Sequence, residues 1–195
     1  MIKMRISNKK MRLLVAIMLT ATSFVNAQTL KIVPTKSNIV ISGTSTLHPW
    51  DMKVAQVSGE ATANSTKQLT ALVIKVPVKS MKSAEGSIMD GKAYDAFDAK
   101  KNPIITFTLT EAVPVKVTEK EVEATIVGTL SMAGATKKIS FKSSGKVIAG
   151  GFQIKGAVPV KMSEYGMKAP TAIFGTIKTG DAVTVKFDVT IEGAL

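Results

Sequence analysis

The chain has 195 residues, with 10 Met, 1 His, 1 Trp and no Cys. Without Cys there is no disulfide, thiolate nucleophile or cysteine metal knuckle, and a single His precludes a multi-histidine metal site. The formal charge of +12 is unevenly placed: beyond residue 27 the chain carries 21 Lys and no Arg against 14 acidic residues, a balance of +7.

Lys3, Arg5, Lys9, Lys10 and Arg12 precede an apolar run from Leu13 to Val25, and Val25-Asn26-Ala27 forms a small-x-Ala site. The pattern predicts a secretory signal peptide over 1–27, cleavage before Gln28, and a periplasmic or secreted protein of bacterial type. The apolar run is too short to span a bilayer as a helix. No Cys follows the site, so no lipoprotein anchor is expected. Residues 28–195 then form one domain, long enough to bury a sizeable core.

Leu30 to Val33 opens a strand that Asn38 to Thr46 continues. The loop Leu47-His48-Pro49-Trp50-Asp51 leads to a strand over Met52 to Thr62. Leu72, Ile74, Val76 and Val78 alternate in the next strand, where Pro77 calls for an edge or a bulge. Ser87 to about residue 100 is the one convincing helix of this part. Met89, Ala93 and Phe97 share a face, Ile88 and Tyr94 lie beside it, and Asp90, Lys92, Asp95 and Asp98 fall mostly opposite. Ser87 and Asp90 suit a capping box, and Pro103 forces an end. Ile105, Phe107 and Leu109 alternate with threonines. Val113–Val117 and Val122–Leu130 flank the charged turn Thr118–Glu121 as a hairpin. Ala133-Gly134-Ala135 and Gly150-Gly151 read as turns around the strand of Ile139 and Phe141. Phe152, Ile154, Val158 and Val160 share one parity. After an irregular stretch over 162–170, Ile173–Thr179 and Val183–Ile191 read as a final hairpin turning at Gly180-Asp181.

This is about eight to ten antiparallel strands and one helix. A closed barrel hides its strand edges, and about eight strands leave room for one small ligand. The helix has no helical partner, so its apolar face must rest on the sheet, across an open end or along a flank, as a candidate lid. The lysines read as a solvated outer face that discourages aggregation. Arg forks for phosphates and guanines are missing beyond residue 12, so no nucleic acid is expected. Attraction to anionic headgroups stays open. The carboxylates of the helix read as solvated rather than metal-binding, and no catalytic or metal site is expected. His48 and Trp50 can plug a barrel end, or meet the polar head and apolar chain of a ligand.

Five segments carry a resemblance: S-T-L-H-P-W-D at 45–51, I-K-V-P-V-K-S-M-K-S at 74–83, M-D-G-K-A-Y-D-A-F-D-A-K-K-N-P-I-I-T-F at 89–107, G-T-L-S-M-A-G-A-T-K at 128–137 and M-S-E-Y-G-M-K-A-P-T at 162–171. In this order they resemble the YceI-like polyisoprenoid-binding family, over essentially all of residues 28–195. Many members carry L-H-D-W where this chain has Pro49. The resemblance implies an exported, antiparallel eight-stranded lipocalin-like barrel, all-β apart from one amphipathic helix (about 87–100). It also implies a hydrophobic tunnel that holds an isoprenoid lipid, of polyprenyl or quinone type. Candidate lining residues are Trp50, Met89, Tyr94, Phe97, Phe107, Phe141, Tyr165 and Phe174, with His48 near the headgroup. Met132, Met162 and Met167 also lie near matched segments, and Met adapts to varied tail shapes. No cofactor is expected beyond such a lipid. Partners are the isoprenoid or quinone, with peripheral membrane contact and a homodimer both open. The alternative is a structural or stress-related exported barrel with a filled core. A hydrolase or isomerase acting on the lipid would need His48 to face the cavity.

Overall fold

Alternating apolar and polar residues give each strand one greasy face, and a sheet with one greasy face closes on itself to bury it. In the computed structural model, which describes residues 28–195, this happens in eight courses of chain. The leader expected over 1–27 lies outside the described residues.

The first course is β1 (Gln28–Ile32) and β2 (Asn38–Ser45), separated by a 3-10 turn at Pro34–Lys36. The second is β3 (Trp50–Val54) and β4 (Ser58–Ala63), and the third is β5 (Gln68–Pro77) and β6 (Met81–Ser83). Helix α1 (Ser87–Ala96) follows. The fourth course is β7 (Ile104–Leu109) and β8 (Val113–Val117). The next three are single long strands, β9 (Glu121–Met132), β10 (Ala135–Ile148) and β11 (Gly151–Lys161). A two-residue strand, β12 (Thr171–Ala172), precedes the last course, β13 (Ile177–Glu192). Each course pairs antiparallel with the one before it, and β13 closes the ring on β1 and β2 (Lys31 opposite Glu192, Val185 opposite Ile41). The result is an up-and-down barrel.

The expected hairpins form at Val117/Val122 and Met132/Ala135, the second turning through Ala133 and Gly134 at positive φ. The hairpin expected at Gly180-Asp181 does not. There β13 runs on through a bulge against β2, between Thr179 and Val183. The Asp181 carboxylate accepts from the Ser163 hydroxyl (2.6 Å) and amide (2.8 Å), and these bonds hold its pKa below the usual carboxylate value. A polar dipeptide that reads as a turn is instead satisfied by the neighbouring connection. The turn sits earlier, at Ile173–Thr176, between β12 and β13.

Helix α1 is shorter than expected, because Asp98 enters the left-handed region (φ 46°) and Ala99 N–H closes back on the Tyr94 carbonyl. It is also less cleanly two-faced: Ile88 is 79% exposed and Asp90 only 6%. Asp90 is not a solvated acid and makes no capping box; the residue at the helix start is Gly86. The reason lies in β6, which pairs with β3 on one edge. On its other edge Asp90 Oδ1 accepts from the Ser83 amide (2.7 Å), and the Tyr94 hydroxyl donates to the Met81 carbonyl (2.8 Å). Two helix side chains thus complete a strand edge that has no strand partner among the described residues.

Candidate functional site

The interior is not filled. Along β10 the inward Ile139 and Phe141 remain half-buried. A close-packed core would bury them fully; here they face a hollow. That hollow has a volume of about 290 Å³, near the lower end of small-ligand sites, roughly 300–1,000 Å³. Its wall is apolar apart from Ser143 and Thr179, and carries no titratable side chain among the described residues. Ser143 Oγ donates to the Ala124 carbonyl (3.2 Å), and the Trp50 indole N–H donates to the Thr44 carbonyl (3.0 Å). The Ser143 hydroxyl and the Trp50 indole N–H are therefore spoken for, and apart from the Thr179 side chain the lumen presents hydrocarbon.

Strand parity supplies the wall. The notably long alternation Val183, Val185, Phe187, Val189, Ile191 faces inward throughout, as do Phe152, Ile154, Val158 and Val160. Phe107, Phe141 and Phe187 form an edge-to-face row, with centroids 5.6 and 5.9 Å apart. Glycines keep rings against the wall, Gly128 beside Phe107 among them. A Cβ at Gly156 would lie 2.3 Å from the Phe187 ring, and one at Gly43 would lie 2.3 Å from Trp50. Each ring occupies the place of a side chain on the next strand, so it stays out of the lumen. Helix α1 adds Met89, Ala93 and Ala96 to the wall, and Phe97 follows at its C-terminal cap, so it roofs the cavity as a lid would.

A second cavity of about 110 Å³ adjoins the first through the shared residues Trp50, Met89, Pro170 and Thr179, and we take it as the mouth. Three segments converge there. The loop after β2 is tied to the β12–β13 hairpin by Thr46 N–H to the Lys178 carbonyl (3.0 Å). Helix α1 is tied to β12 by Lys92 Nζ to the Thr171 carbonyl (2.6 Å). His48 faces this mouth rather than the large cavity. Its Nδ1 donates to the Pro49 carbonyl (2.7 Å) and lies 3.7 Å from Glu85 Oε1.

Trp50, Met89, Phe97, Phe107 and Phe141 line the large cavity, as do Met132, Met162 and Met167. Tyr94, Tyr165 and Phe174 do not. Tyr94 is spent on the edge of β6. Tyr165 is 2% exposed and packs inside the core between the barrel and the 162–167 connection, where burial raises its pKa. Phe174 is fully exposed on the β12–β13 turn. Wall residues not singled out from the sequence include Met52, Met81, Phe152 and Phe187. Parity marked the two phenylalanines; nothing local marked the methionines.

A closed eight-course meander around an apolar hollow, with one helix across its rim, defines a lipocalin-like barrel. The model of the YceI-like domain matches residues 30–191, and the chain belongs to that family. No curated protein matches it significantly. Among solved structures, Burkholderia cenocepacia BcnA is 16% identical with a TM-score of 0.66, over 82% of this chain and 98% of its own. A polyisoprenoid-binding domain from Saccharophagus degradans, implicated in plant cell wall breakdown, is 14% identical with a TM-score of 0.65, over 85% and 98%. The Campylobacter jejuni YCEI protein is 19% identical with a TM-score of 0.57, over 74% and 84%. At these identities the likeness is one of fold.

Proposed function

We propose that the protein binds and carries a long-chain isoprenoid lipid, of polyprenyl or quinone type, in the barrel cavity, and that it acts outside the cytoplasm without catalysing a reaction. The observation that carries this reading is the hollow, hydrocarbon-walled lumen beneath α1. Only an apolar chain gains from entering it. Each buried CH2 contributes about 0.8 kcal/mol, so one five-carbon unit contributes about 4 kcal/mol. The six methionines of the wall, Met52, Met81, Met89, Met132, Met162 and Met167, adapt to a branched, kinked tail better than β-branched residues do. The polar mouth with His48, Glu85 and Lys92 offers a headgroup both donors and an acceptor. Membership of the YceI-like family and the polyisoprenoid-binding neighbour support the same cargo class. The basic-then-apolar pattern of residues 1–27 supports export. Among the described residues, the catalytic alternative has no titratable group in the large cavity to work with.

The test is organic extraction of protein purified from its own host, followed by mass spectrometry. A co-purifying prenyl lipid is expected. Protein that carries no lipid, and that takes up no prenyl quinone afterwards, contradicts the proposal.

A further inference from the structure

Six large apolar side chains are exposed on the described surface: Leu47, Ile88, Ile104, Ile148, Ile173 and Phe174. Leu47, Ile88, Ile173 and Phe174 are the four most exposed, at 66, 79, 65 and 108%, against 42 and 39% for Ile104 and Ile148. These four sit on the three segments that converge on the cavity mouth. Leu47 lines the mouth itself, Ile88 precedes Met89, and Ile173 and Phe174 follow Ala172. Three stretches distant in sequence place their most exposed apolar residues around one opening, which scattered surface hydrophobicity does not do. The tip also carries backbone strain. Ile173 and Phe174 both have positive φ (48° and 50°), a region that a β-branched residue adopts only against a steric cost. The β12–β13 turn holds its two apolar side chains outward despite that cost.

We infer that this rim docks on a phospholipid bilayer. Leu47, Ile88, Ile173 and Phe174 enter the headgroup–acyl boundary, and the cavity mouth opens directly onto it. Two features favour a bilayer as the occupant. The patch is continuous with the mouth of a hydrocarbon-walled cavity, so docking lets a tail move between membrane and lumen without crossing water. The domain carries a balance of +7 with Lys92 and Lys178 on the rim segments, complementary to an anionic leaflet. This inference rests on the reading of the cavity as a lipid site, and it assigns the membrane contact to one end of the barrel.

The experiment is co-sedimentation of the purified protein with vesicles of mixed phosphatidylethanolamine and phosphatidylglycerol. Phe174→Ser, Leu47→Ser and a control, Ile148→Ser, are compared with it. Wild type and Ile148→Ser should partition alike. Phe174→Ser should partition about tenfold more weakly, and Leu47→Ser, on a different segment, should weaken it independently. All substituted side chains are exposed, so unfolding is not the expected cause of a loss, and an unchanged Tm checks this. Absent wild-type binding overturns the docking, as does binding that Phe174→Ser and Leu47→Ser leave intact. So does a dimer in solution that Phe174→Ser dissolves, which would assign the patch to a second copy. Uptake of a prenyl quinone from detergent micelles is measured alongside. Uptake without vesicle binding sinks the docking alone; vesicle binding without uptake sinks the cavity reading.

Discussion

At the scale of single residues, the lumen exists because certain side chains are small where their neighbours are large. Gly156 lets the Phe187 ring lie against β11 instead of across the cavity. Gly156→Ala therefore pushes the ring inward, and chemical denaturation should show a loss of about 1–3 kcal/mol, the usual cost of overpacking. An unchanged midpoint would mean that the ring has room elsewhere. Two tyrosine and phenylalanine positions make a sharper contrast. Tyr165→Ala should cost about 3–5 kcal/mol, because a fully buried ring is lost. Phe174→Ala should stay within about 0.5 kcal/mol, because its ring touches only solvent. Equal losses at the two sites would contradict their placement. Sequence alone could not separate them. Tyr165 lies in the irregular stretch over 162–170, and Phe174 falls in the strand expected over Ile173–Thr179, where the structure has a turn instead. Phe107 and Phe141 sit in regular strands, and there parity points each ring to the lumen.

At the scale of elements, α1 is held to the barrel by polar bonds as well as by its apolar face. The Ser83 amide, and then Lys82, hold the Asp90 carboxyl below its ordinary pKa of 3.8. A carboxyl with a depressed folded-state pKa stabilises above its ordinary value and loses that contribution as pH falls through the folded value. Hydrogen exchange of the α1 amides, corrected for intrinsic rates, should therefore show the helix loosening in acid below that value. Asp90→Asn should loosen α1 already at neutral pH and flatten this pH dependence. Protection of α1 that ignores both changes would contradict the latch. The helical period was legible, and with it the inward set Met89, Ala93 and Phe97. The role of Asp90 was not, because it depends on a strand edge that only the folded sheet brings alongside. The same holds for Gly180-Asp181: its turn signal was plain, but Ser163 arrives through tertiary structure and turns it into a bulge.

At the scale of the whole molecule, the eight courses close a tube whose packed ends leave a hollow between them. Toward one end its wall is a cluster that includes Leu30, Leu69, Phe107, Val122 and Phe152. The other is roofed by α1 and the 162–167 connection. Ala124 lines the lumen beside the first of these clusters, so Ala124→Phe offers a test of hollowness. In an open lumen the new ring finds space, and stability should change by less than about 1.5 kcal/mol. In a filled interior it would cost clearly more, up to about 3 kcal/mol or beyond. Barrel class and closure were legible because alternation, turns and strand count all point one way. The lumen was not, since the same apolar residues could have closed up; its openness depends on which rings lie flat on glycines.

The most direct measurement uses Trp50, the only tryptophan, which stands in the wall where cavity and mouth meet. A prenyl quinone titrated into the protein should quench its fluorescence saturably at equimolar ratio. Ala124→Phe, or a quinone without its tail, should abolish the effect. Quenching that is absent, or that is the same with the tail-less quinone, would contradict a barrel that takes up its ligand by the hydrocarbon chain.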